Sequence, residues 1–209
     1  MLKKRFLALI YGLFFSAGFA PFDLWALSIL CVILLLALLN ESSNKDAFVI
    51  GYCFGFGMWL TGISWLYVSI HYHGNIGQAY SILIIILFIA ILSLYSGILF
   101  LLNNLLRNNS PKLLIFLTLP VAWVSIELLR SYLFTGFPWL ISGTMLANTL
   151  IDGLTPIIGA QGNTFLLLLL ATLIFQIYES VVKKESALFP LLFLFLIIFS
   201  SYFLLPSNS

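Results

Sequence analysis

The stretch WVSIELLRSYLFTGFPWL, residues 123–140, decides how this chain is read: an apolar helix carries Glu127 and Arg130 and then breaks into the aromatic loop Phe137-Pro138-Trp139. An ionisable residue inside a membrane helix is costly unless it is paired or meets water. Residues three or four apart share a helix face, so Trp123, Glu127, Arg130 and Phe134 form one stripe on which the two charges can meet. With the helix ending near Leu133, a rise of about 1.5 Å per residue puts Glu127 roughly 9 Å below that end and Arg130 about half as deep. Both then lie near one membrane surface, under the aromatic loop. Two readings stay open: a structural ion pair that locks this helix to its neighbours, or a pair that contacts substrate.

Around this stretch almost everything is lipid-soluble. Hydrophobic residues make up 62% of the 209 and charged residues 8%, with a mean hydropathy of +1.14, which excludes an ordinary soluble domain. The reading is a single all-α domain over residues 1–209, a polytopic transmembrane bundle. A net charge of +2, with the basic residues scattered in twos and threes, gives no footprint for nucleic acid. Cys31 and Cys53 sit in apolar runs, where a thiol behaves as a small hydrophobe, so neither reads as a nucleophile or a disulfide partner. His71 and His73 flank Tyr72 with no Cys, Asp or Glu close by. They read as solvated loop histidines, and no metal or cofactor is expected.

Seven apolar runs are legible, over residues 6–20, 24–39, 47–70, 78–102, 113–133, 164–178 and 187–205. The first follows Lys3-Lys4-Arg5 and has the layout of a signal peptide. Pro21 would follow the scissile bond, however, and a second run begins almost at once, so a short first membrane helix is preferred. In the third run Gly51 and Gly55 offer a small-residue face, read as internal packing, and Trp65, Tyr67 and His71 crowd its far end, at the water interface. The connection over residues 134–163 is long, rich in Gly, Pro and Thr, and still apolar; it is expected to lie in the interface or re-enter the membrane. With Met1 in the cytoplasm, Lys3, Lys4, Arg5, Lys45, Arg107, Lys112, Lys183 and Lys184 all fall on the same side, and only Arg130 is left over. This asymmetry puts the N-terminus in the cytoplasm and the C-terminus, with the loops holding Asp23, His71, Trp139 and Asp152, in the periplasm.

No phosphate-binding glycine loop, zinc-type cluster or Ser-His-Asp set appears. The outward inventory suits holding a lipid: apolar walls for acyl chains, a guanidinium for a phosphate or carboxylate head, indoles at the membrane boundary. The plain alternative for the aromatic loop is an interfacial anchor.

Four blocks, SAGFAPFDLW (16–25), YCFGFGMWLTGISWLYVSIH (52–71), LSLYSG (92–97) and residues 123–140, resemble in this order the membrane part of bacterial apolipoprotein N-acyltransferases. The resemblance covers most of the chain. It implies a multi-pass protein of the bacterial inner membrane whose family takes an acyl chain from a phospholipid donor onto a cysteine, as a thioester. The acyl group then passes to the α-amino group of the diacylglyceryl-cysteine that begins a lipoprotein. By the same resemblance Trp139, Phe137 and Pro138, with Glu127, Arg130, Trp65, Tyr67 and His71 nearby, border the lateral entrance for lipid. The family's catalytic Glu, Lys and Cys belong to a nitrilase-like domain that these residues do not include. No catalytic residue is therefore assigned, because nucleophilic catalysis needs an activated nucleophile with a base in reach. The expectation is a lipid-binding module, truncated or completed by a separately encoded nitrilase-like partner. The alternatives are a small permease, in which Glu127 and Arg130 line a polar path, and a nonfunctional remnant.

Overall fold

Where the apolar runs meet Gly, Pro or polar clusters the helices stop, and the computed structural model describes the result for residues 1–111, 114–147, 149 and 152–203. Helices α1 (Leu2–Phe15), α2 (Trp25–Leu39) and α3 (Asn44–Gly62) come first. α4 (Leu66–Val68) continues as a π-turn over Ser69–His73, followed by α5 (Gln78–Asn109) and α6 (Ile115–Tyr132). Three short 3-10 turns, Leu133–Thr135, Ser142–Leu146 and Asp152–Leu154, lead into α7 (Thr155–Lys183) and α8 (Leu188–Phe203). Among the described residues there is no strand.

Three helices, α5, α6 and α7, are long and apolar enough to cross a membrane, or four where α3 and Leu66–His73, bent by 61°, count as one span. α2 and the Leu188–Ile197 part of α8 are apolar but shorter, below the roughly 20 residues that cross a bilayer upright.

α3 is held between α1 and α5, and its glycines are the reason. A Cβ on Gly51 would lie 2.7 Å from the Cβ of Phe100, and one on Gly55 2.4 Å from Ser96 Oγ, so this face is internal packing, as the sequence suggests. Toward α1, a Cβ on Gly57 would meet the Leu9 carbonyl at 2.2 Å and one on Gly12 the Phe54 carbonyl at 2.0 Å. With backbones this close, Phe15, Phe54, Phe100 and Trp123 converge in one ring cluster, with centroids 5.4 to 6.1 Å apart, joining α1, α3, α5 and α6. α3 opens on a Ser43 cap, whose hydroxyl accepts from the Asp46 amide at 3.2 Å.

The boundaries differ from the hydropathy reading in three places. The third run does not continue to residue 70 as one helix; it breaks after Gly62, because hydropathy does not register a turn among equally apolar residues. α5 runs on to Asn109, so Arg107 is helical and donates to Asn40 Oδ1 at 2.6 Å. α7 starts at Thr155, nine residues before the expected start of 164, but in two pieces: Gly159 (φ 68, ψ −177) leaves helical backbone, so a short first turn and the long helix after it meet at a kink. Lys112 and the expected last-span end at Leu205 lie outside the described residues. At the basic end, Asn40 also donates to Glu179 at 3.2 Å, Lys183 pairs with Glu179 at 3.0 Å, and Lys4 donates to the Leu38 carbonyl at 2.8 Å, tying α1, α2, α5 and α7 together.

Candidate functional site

Residues 138–141 return over the end of α6 and form one lip of a cavity of about 630 Å³. The opposite walls come from the segment after α1, with Ser16, Phe19, Pro21 and Phe22, and from the break in α3, with Thr61, Gly62 and Trp65. Trp65 and Trp139 face each other across the lip with ring centroids 5.0 Å apart. Phe137 sits behind, 6.2 Å from Trp139, 6.0 Å from Trp59 and 5.2 Å from Phe88. The lining side chains carry no formal charge; their polar groups are the indole N–H of Trp65 and Trp139 and three hydroxyls, of which Ser16 and Thr61 share a 2.5 Å hydrogen bond and Thr144 donates to the Ile141 carbonyl.

Beneath the lip the expected Glu127–Arg130 ion pair does not form. Lys183–Glu179 is the one ion pair among the described residues. Both Glu127 and Arg130 are only 4% exposed, buried rather than half-buried, and each is satisfied separately. The Glu127 carboxylate accepts four hydrogen bonds: from Trp123 Nε1 at 3.0 Å, from the Ser142 amide at 2.9 Å and hydroxyl at 2.8 Å, and from the Thr164 hydroxyl at 2.8 Å. Thr164 in turn accepts from the Gly143 amide at 2.8 Å. The carboxylate thus clamps the Ser142–Leu146 turn between α6 and α7, which takes the middle of the connection into the bundle, with Met145 and Leu146 buried. Arg130 Nη1 donates to the carbonyls of Phe137 and Trp139, and its guanidinium lies 4.9 Å from the centre of the Trp59 ring. The reason the charges part is local: spacing of three residues permits contact, but the backbone groups of the folded-back loop offer nearer partners to each.

This geometry also places Arg130 relative to the cavity. It does not line the cavity; it shapes the lip from below by holding two of its carbonyls. The void bordering Glu127 and Arg130 is about 20 Å³, room for about one water. Arg130→Lys, which loses the planar fork and the stacking on Trp59, is expected to speed proteolytic cleavage within residues 133–141 several-fold. Helix content by circular dichroism should stay unchanged; unchanged cleavage would remove this role.

Of the sequence-selected residues, Trp65, Pro138 and Trp139 line the cavity, Phe137 backs it, and Glu127 and Arg130 underlie it. Tyr67 and His71 do not join them. They stack on each other at 5.1 Å beside Tyr72, with His71 Nδ1 2.7 Å from the Ile76 carbonyl. The residues that sequence reasoning missed are Ser142 and Thr164, whose hydroxyls have no periodic signal, and the wall at Phe19 and Phe22. The lip is also strained: Thr135 (φ 72) and Leu140 (φ 51) adopt left-handed backbone, uncommon for such side chains, and strain of this kind clusters at ligand clamps.

Comparison with known proteins agrees with the four sequence blocks. The family described as apolipoprotein N-acyltransferase N-terminal domain matches residues 11–173. Relatives named apolipoprotein N-acyltransferase include that of Coxiella burnetii, 35% identical over 177 residues, covering 83% of this chain and 36% of that protein. That of Pseudomonas syringae pv. tomato is 34% identical over 180 residues (86% and 36%), and that of Wigglesworthia glossinidia brevipalpis 32% over 201 residues (95% and 39%). The chain spans a little over a third of the length of these relatives. On this evidence the chain belongs to the apolipoprotein N-acyltransferase family and corresponds to its N-terminal membrane domain.

Proposed function

We propose that these residues form the lipid-receiving membrane module of a bacterial inner-membrane acyltransferase, crossing the bilayer seven times with the basic N-terminus in the cytoplasm and the groove toward the periplasm. The acyl donor is a phospholipid and the acceptor a diacylglyceryl lipoprotein. Thioester formation and acyl transfer belong to a nitrilase-like domain, joined in the same polypeptide or separately encoded. The observation that carries this reading is the groove of about 630 Å³, walled by Trp65, Trp139, Phe19 and Phe22 with hydroxyls between them. A lining without charge suits acyl chains and ester groups rather than a phosphate head. The positive-inside distribution of the loop cations supports the orientation.

The test joins these residues to a nitrilase-like domain of the family and measures acyl transfer to a diacylglyceryl peptide. Trp139→Ala removes one face of the lip and is expected to lower kcat/KM about tenfold, the effect of losing roughly 1.4 kcal/mol of aromatic contact, with the helices intact. Unchanged turnover would overturn the assignment of the groove.

A further inference from the structure

The basic N-terminal turn carries a second feature, at the end of the bundle opposite the aromatic lip. Of the three consecutive cations Lys3, Lys4 and Arg5, only Lys4 is engaged, on the Leu38 carbonyl that ends α2. Lys3 is exposed and Arg5 half-buried, and among the described residues neither side chain has a hydrogen-bond or ion-pair partner. Both border a cavity of about 670 Å³ whose other walls are Leu2, Phe6 and Leu9 of α1 and Cys53 of α3. Leu2, Phe6 and Leu9 follow one another at helical spacing on one face. Leu2 is 82% and Phe6 63% exposed, so this apolar stripe has no protein cover.

We propose that this groove is a seat for one anionic phospholipid: an acyl chain lies along Leu2, Phe6, Leu9 and Cys53, and the phosphate sits between Lys3 and Arg5. The chemistry of the walls requires both halves of such a ligand. The floor is apolar, Lys3 and Arg5 contributing their aliphatic stems, so both charged heads lie at the rim beyond it, with no carboxylate among the lining residues. A guanidinium with no protein acceptor is free to take a ligand, and a phosphodiester is its matching bidentate partner. A phospholipid with a neutral or zwitterionic head would satisfy the floor but not the rim.

The experiment uses the full chain purified in a zwitterionic detergent, with native mass spectrometry reading lipid adducts as phosphatidylglycerol or phosphatidylcholine of identical acyl chains is titrated in. Phosphatidylglycerol should be retained about fivefold over phosphatidylcholine for each cation engaged, roughly thirtyfold for both, the fold-change that about 1 kcal/mol per basic residue near a charged lipid surface corresponds to. Lys3→Gln with Arg5→Gln should abolish the preference, the charge-conserving exchange Lys3→Arg with Arg5→Lys should keep it, and Lys45→Gln, outside the groove, should leave it unchanged. Loss of the preference to the same extent in Lys45→Gln would mean diffuse attraction and overturn the site, as would its survival in the double glutamine variant. A dimer in place of lipid adducts would show that a second copy of the chain covers the face. None of these readings depends on acyl transfer, so they stand apart from the test of the aromatic groove.

Discussion

Glu127→Ala is expected to destabilise this bundle by about 3–5 kcal/mol, because four donors lose their acceptor inside a closed interior. Two of those donors belong to Ser142 and one to Thr164, on different elements from Glu127 itself. The loss should therefore release the turn at Ser142–Leu146 as well as weaken the contact between α6 and α7. In detergent the melting midpoint should fall by on the order of 10 °C, with the early part of the transition visible as faster proteolysis near residues 142–146. Glu127→Gln keeps one carbonyl acceptor and an amide that can donate to Thr164, so its loss should be less than half as large. A melt for Glu127→Ala within about 2 °C of the parent, against the shift expected from that range, would show that the carboxylate is not what fastens the turn.

A second large loss is expected from the smallest possible change, Gly143→Ala. The added Cβ would stand 1.9 Å from the Ala160 carbonyl oxygen and 2.5 Å from the Thr164 amide, both backbone atoms of a helix that cannot yield. The turn must lift, exposing Met145 and Leu146, which are 2% and 0% exposed, and breaking the Gly143 to Thr164 bond with it. Burial of two such side chains and one hydrogen bond together is worth about 4 kcal/mol or more. Gly159→Ala is the matched control: its φ of +68 is unfavourable to a side chain, but nothing lies within 4 Å. Only backbone strain applies there, about 1–3 kcal/mol, because φ 68 with ψ −177 is a region open essentially to glycine alone. Equal losses for the two variants, read as denaturation midpoints, would contradict the tight-approach account.

These two sites show where sequence reasoning succeeds and where it stops. Runs of apolar residues and the sign of the loop charges made the helices legible, and Gly51 and Gly55 were readable as a packing face because their spacing is local. The carboxylate was legible as a problem but most of its solution was not: only Trp123, four residues before it, shares its stripe, and the other three donors come from 15 and 37 residues further along the chain. The break after Gly62 was hidden because Ile63, Trp65 and Leu66 are as apolar as the helix they interrupt. The segment Phe19-Ala20-Pro21-Phe22 forms a wall of the groove with no periodicity that would assign it a face. In each case the deciding contact is made by backbone, or by a hydroxyl arriving from a distant element, and neither leaves a pattern in hydropathy.

One nitrogen of Arg130 grips two carbonyls of the rim while the same guanidinium rests on the Trp59 indole, in the last turn of α3. The position of Trp139 is therefore set in part from α3: rim, arginine and Trp59 form one contiguous chain of contacts, ending on a helix whose glycines pack against α1 and α5.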